Sequence, residues 1–316
     1  MARHIRFIAA TLAVIALVEL GLRAVDSRLP PGRDWYSRFA QAKAARMHDI
    51  DEPVDVVFAG DSATMRGIDS QSFAARCGGR AFNAAIPGIT PVELTTWMSE
   101  VVEPALEPAT VALGFTSRSF APHADTRGAF HSSRALRDDT VGRLDRWLAE
   151  RSAIIEHRTT LSDPGELKEA IVQLVRGRKA GEWDRLDAFG YAPVGHDTTY
   201  SLGRFRHAET GILREYEVSR EDVDALGRLI DALRDDGIDV VLMDMPTSSD
   251  WAGLHPRGER DVADYREALA EVAERHDVEL VDLTGVVEGT EHFQDPLHLD
   301  DDGTELLTDE AAAALC

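Results

Sequence analysis

Five short apolar runs, separated by helical patterns, limit this chain more tightly than any other feature. The runs lie at 54–59, 80–84, 110–114, 239–243 and 279–282, and helical periodicity follows at 91–102, 222–234 and 262–275. Short β-branched runs bounded by Gly, Pro or polar residues read as buried strands. Strands that alternate with helices require a parallel sheet covered on both faces. Ser219 is placed to cap the helix at 222–234, and Gly237 to end it. The expected fold is therefore a three-layer α/β domain around a five-stranded parallel sheet of flavodoxin-like type.

The alternation breaks once. Residues 121–218 are too many for a plain crossover between the third and fourth strands. This insertion carries helical patterns at 141–158 and 165–178, and it leaves the carboxyl end of the third strand, where open α/β sheets place their ligands. Its Tyr200, Arg206 and His207 are candidates for substrate contact, with a solvated helical appendage as the alternative.

The first run stops on Gly60-Asp61-Ser62, which puts a serine at the carboxyl end of a strand. A serine becomes a nucleophile only when a base takes its proton, and the base works better when an acid orients it. Near the C-terminus, Asp295-Pro296-Leu297-His298 offers both. A zinc site at His292, Asp295 and His298 is the rival reading, since three-residue spacing aligns ligands on a helix. Pro296 opposes a helix there and favours a loop.

Gly60-Asp61-Ser62 with Gly67 at one end, and Asp295-Pro296-Leu297-His298 at the other, resemble the first and last blocks of the SGNH (GDSL-type) hydrolase superfamily. The resemblance covers roughly 54–316 and implies a serine esterase with Ser62, His298 and Asp295 as its triad. Phe82-Asn83-Ala84-Ala85-Ile86-Pro87-Gly88 resembles the second block, which makes Gly88, with Ser62, a backbone donor to the oxyanion. The third block departs from the family's Gly-x-Asn-Asp: here it reads Gly114-Phe115-Thr116-Ser117-Arg118, with Thr116 at the position of the third oxyanion donor. Ser117 and Arg118 are the next candidates. This variant block resembles the membrane-anchored envelope subgroup, which implies a polysaccharide O-acyl ester as substrate. The same triad serves an O-acyltransferase, and an altered third block also suits a silent envelope scaffold. A membrane-bound acyltransferase would be a partner, and no metal or organic cofactor is implied.

Arg3 and Arg6 precede an apolar stretch from Phe7 to Val25 interrupted by Glu19. A basic start followed by an apolar core reads as a signal anchor or transmembrane segment. Residues 1–28 are thus expected to anchor the chain, 29–53 to act as a juxtamembrane spacer with a short helix near 39–47, and 54–316 to form a hydrolase-like domain outside the cytoplasm. A net charge of −22 would repel a phosphate backbone and argues against a nucleic-acid partner. Positive charge is nearly all Arg, with lysine only at Lys43, Lys168 and Lys179. Cys77 and Cys316 form either a disulfide or two buried thiols.

Overall fold

The computed structural model describes residues 2–25, 35–122, 144, 147–148, 151–162, 164–176, 185–196, 198–203, 206 and 211–316. Helices α1 (Ala2–Val25) and α2 (Trp35–His48) precede the sheet domain. Then come β1 (Val56–Gly60), α3 (Ser62–Gly67), α4 (Ser70–Cys77) and β2 (Ala81–Asn83). After these, α5 (Pro91–Trp97) continues through a π turn at Met98–Val102 into α6 (Glu103–Leu106) and leads to β3 (Thr110–Phe115). The insertion contributes α7 (Ala153–Glu156), α8 (Arg158–Ser162) and α9 (Pro164–Arg176). The domain closes with α10 (Arg220–Asp235), β4 (Asp239–Asp244), α11 (Glu259–His276), β5 (Glu279–Asp282) and α12 (Asp301–Leu315).

All four strand pairings are parallel, in the order β2-β1-β3-β4-β5. That is the flavodoxin-like order, and its switch point falls between β1 and β3. Side chains alternate between two buried faces, as a covered parallel sheet requires. Val57, Ala59, Val111 and Leu113 face the layer of α5 and α10, where Trp97, Leu226 and Leu229 lie. Phe58, Ala112 and Met243 face the other layer, with Leu307 and Ala311 of α12. The five strands therefore lie where the sequence puts them.

Two expectations for the N-terminal part change. Among the described residues no helix is long and apolar enough to cross a membrane, so α1 does not stand as the expected transmembrane anchor. Two residues of its second half make polar contacts. Glu19 pairs with Arg23 at 2.7 Å and accepts hydrogen bonds from Ser152 Oγ, Ala153 N and Ile154 N at the start of α7. The spacer at 29–53 is also more than a spacer. Phe39, Ala40 and Met47 of α2 are fully buried, and burying side chains the size of Phe and Met contributes about 1.5–3 kcal/mol each. The helix expected near 39–47 is thus part of the folded core; residues 26–34 lie outside the described residues.

At the opposite end, Cys77 of α4 and Cys316 after α12 form a disulfide with Cα atoms 5.7 Å apart. It ties the helix that follows β1 to the last helix of the chain. The alternative of two free thiols does not hold.

Candidate active site

β1 and β3 run side by side up to Gly60 and Gly114. Gly60 has φ +135°, and a Cβ there would stand 1.9 Å from the Gly114 carbonyl oxygen. Only glycine permits that approach, which aims the next two residues at the sheet's carboxyl edge. Asp61 caps α3 by accepting from Ala63 N at 2.9 Å. Its other oxygen, Oδ2, accepts from Thr116 N, Thr116 Oγ1 and Ser119 Oγ at 3.1, 2.9 and 2.7 Å. Four donors converge on a carboxylate that is only 1% exposed.

Ser62 is the first residue of α3, so its backbone N–H has no partner within the helix. Its Oγ is 2.7 Å from His298 Nε2. His298 Nδ1 lies 2.9 and 3.0 Å from the two oxygens of Asp295. With a proton on Nδ1 held by that carboxylate, Nε2 presents its lone pair to the serine hydroxyl. The three residues that the sequence singled out as a triad are therefore brought into one hydrogen-bonded chain.

Asp295 and His298 sit on a loop rather than a helix, in line with Pro296. Gln294 N donates to His298 O, Asp300 N donates to His292 O, and Phe293 bridges Leu299, so the segment folds back on itself. Asp295 Oδ1 also accepts from Leu297 N and His298 N, both at 3.0 Å. Burial works to raise the Asp295 carboxyl. The facing imidazole and these backbone donors outweigh it and leave the carboxyl below its ordinary range. Two further contacts hold the loop: Ser248 N to Pro296 O and Ser201 N to Gln294 O, each 2.9 Å.

His292 does not join Asp295 and His298. Its ligand atoms group instead with Asp300 and Asp302, all within 4.8 Å of one another. Asp300 is also the N-cap of α12, accepting from Gly303 N.

The turn carrying Gly88 is closed by Ile89 N donating to Ile86 O, and Gly88 has φ +70°, as the third position of a type II turn demands. Ile86 N donates to Gly60 O at 2.9 Å, which docks this turn beside Ser62. Thr116 is different. Its hydroxyl has one proton, and that proton goes to Asp61. As placed, Thr116 braces the turn before Ser62, and its hydroxyl proton is directed to Asp61 instead of the expected third oxyanion position. Ser117 Oγ is engaged as well, with His255 Nε2 at 3.0 Å and Trp251 Nε1 at 2.9 Å. Arg118 is buried.

Of the insertion residues, Tyr200 donates to Asp250 Oδ2 at 2.8 Å on the flank of the Asp295 loop. Arg206 is exposed, and His207 lies outside the described residues. Sequence reasoning missed the roles of Ser119, Asn83 and Lys43. Lys43 did carry a signal, being one of three lysines in an arginine-rich chain.

The profile of the GDSL-like Lipase/Acylhydrolase family matches residues 196–306, a segment that holds Asp295 and His298 and follows Ser62. No curated protein matches the chain. Among solved structures, it is similar to a GDSL-like lipase from Bacteroides thetaiotaomicron, with 13% identity and a TM-score of 0.43 over 88% of this chain and 100% of that one. It is also similar to an acetylxylan esterase from Geobacillus stearothermophilus, with 13% identity and a TM-score of 0.41 over 84% and 94%. A carbohydrate acetylesterase family member from Sinorhizobium meliloti gives 12%, 0.37, 83% and 97%.

Proposed function

We propose that the chain is an ester-hydrolysing serine hydrolase of the GDSL-like lipase/acylhydrolase kind, in which Ser62 attacks the acyl carbonyl while His298 takes its proton and Asp295 holds the imidazole. The Ser62–His298 contact of 2.7 Å carries this reading, because it joins a serine at a strand end to a base that already has its acid partner. Negative charge on the carbonyl oxygen falls to the backbone N–H groups of Ser62 and Gly88. His298 then returns the proton to the leaving alcohol, and water, activated by the same base, releases the acid and restores Ser62.

The substrate we propose is an O-acyl group on an envelope or exported polysaccharide, met outside the cytoplasm. The Cys77–Cys316 disulfide supports that compartment, since disulfides persist where the surroundings are oxidising. The basic, then apolar, N-terminus supports it too, and α1 leaves Phe7, Leu12, Leu17 and Leu20 exposed for a lipid surface to cover. The test is acid release from O-acetylated polysaccharide, followed in the parent chain and in Ser62→Ala, with and without a sugar acceptor. Acetate released by the parent and not by the variant supports hydrolysis. Acyl sugar formed in place of acetate makes the chain a transferase, and equal release by both contradicts the proposal.

A further inference from the structure

Lys43 is completely buried, on a helix that precedes the sheet domain. Its Nζ donates to Asn83 O at 2.6 Å and to Asn83 Oδ1 at 3.1 Å. Asn83, the last residue of β2, is a joint between two parts of the site. Its Nδ2 donates to Thr64 O, Met65 O and Ile68 O at 3.1, 3.3 and 2.9 Å, gathering the carbonyls at the end of the helix that Ser62 begins. Its Oδ1 accepts from Ala85 N at 3.1 Å, on the approach to the Gly88 turn. Reversing that amide would set its NH2 against Ala85 N, donor against donor, and its oxygen against three carbonyls. The amine adds a donor to both oxygens of Asn83 and so ties this amide to the backbone of β2.

We propose that Lys43 is a positioning residue for hydrolysis, holding Asn83 so that the nucleophile helix and the oxyanion turn keep one mutual geometry. The proposal rests on the functional reading above and adds a residue that neither the triad nor the family match contains. The chemistry of the amine fits the task. Burial pushes Lys43 well below its ordinary value; Asp187 opposes that shift, while Arg46 on the same helix and Arg66 on α3 reinforce it. Its N–H groups meet two acceptors, both oxygens of Asn83. Arginine, always charged and carrying five donors, would leave several of them unmet in this enclosure. That is a physical reason for lysine at one position of a chain that elsewhere prefers arginine.

The experiment compares the full-length parent with Lys43→Met and Lys43→Gln by kcat and KM on p-nitrophenyl acetate, by melting temperature, and by labelling of Ser62 with a fluorophosphonate. Methionine keeps the length and removes the donor; glutamine keeps a donor on a shorter arm. The expected result is a fall in kcat of about 10- to 100-fold for Lys43→Met, the scale of a small misplacement. KM should stay near the parent's, Lys43→Met should remain folded at the assay temperature, and kcat of Lys43→Gln should fall between the two. Parent-like kcat in Lys43→Met overturns the proposal. Should Lys43→Met fail to fold, a folded Lys43→Gln decides by the same criterion, and failure of both to fold makes the amine a stability element and overturns the positioning role. A parent chain that is not labelled at Ser62 overturns the functional reading and this proposal together, whereas a labelled parent with an unaffected Lys43→Met overturns this proposal alone.

Discussion

Thr116 and Asp61, 55 residues apart, are joined twice: the Thr116 backbone N–H and its hydroxyl both donate to Asp61 Oδ2, at 3.1 and 2.9 Å. Ser119 adds a third donor to the same oxygen. Asp61 immediately precedes Ser62, so the segment after β3 fixes the turn that carries Ser62. In the proposed mechanism this is structural support from behind, and the oxyanion is left to backbone donors.

Thr116→Val should therefore act mainly on stability. The isosteric change removes one charge-assisted hydrogen bond from a buried carboxylate, which costs about 1.5–3 kcal/mol. Urea unfolding should show that loss. Turnover of a small ester should fall far less than the about 10²–10³-fold expected for a lost oxyanion donor; a fall of that size at unchanged stability would return Thr116 to the oxyanion hole.

What was legible in the sequence was whatever depends on local pattern. The run at 54–59 reads as a strand because it is mainly apolar on both faces, and β1 (Val56–Gly60) lies over it. Asp295 and His298 were readable because Pro296 forces a loop and the two side chains need only a three-residue reach. The direction of the Thr116 hydroxyl was not readable, since position in a block does not say which acceptor competes for the proton. Asn83 and Lys43 were hidden for another reason: 40 residues separate them, and their bond forms only once α2 packs onto the sheet. The apolar stretch from Phe7 to Val25 reads as a membrane segment by pattern, whereas no described helix is long and apolar enough to cross a membrane.

Asp295→Asn should keep the loop's shape and lose the tautomer. An amide offers an NH2 to His298 Nδ1, which leaves Nε2 protonated and unable to take the serine proton. The comparable change in other serine hydrolases lowers kcat by about 10⁴-fold. Steady-state kinetics on an activated ester should show a fall of that order with little change in KM; a fall below about 10-fold would remove Asp295 from the mechanism.

Replacing Cys77 and Cys316 by serine should destabilise the chain by about 3–5 kcal/mol, because the bond closes a loop across a sequence separation of 239 residues. Denaturant unfolding of the oxidised parent, the reduced parent and the double variant checks this. The reduced parent should resemble the variant, and a variant as stable as the oxidised parent would contradict the cross-link's role.

Lys43 should leave a mark on the pH dependence of stability. Its amine lies well below its ordinary value in the folded chain. From that lowered value up to about 10.4, the unfolded chain holds a proton that the folded chain lacks, so this group makes stability rise with pH. Arg46, Arg66 and Asp187 face it. The free energy of unfolding of the parent minus that of Lys43→Met should therefore increase over this range, by at most about 1.4 kcal/mol per pH unit. A flat difference would mean that the amine is protonated in the fold.

The central claim, that Ser62 is a nucleophile activated by His298, is tested most directly by treating the parent chain with a fluorophosphonate and mapping the modified peptide by mass spectrometry. The account predicts a single modification at Ser62, abolished in Ser62→Ala and slowed by about 10² or more in His298→Ala, because a serine without its base is a poor nucleophile. Modification at another serine, or labelling of Ser62 at the same rate in His298→Ala, would contradict it.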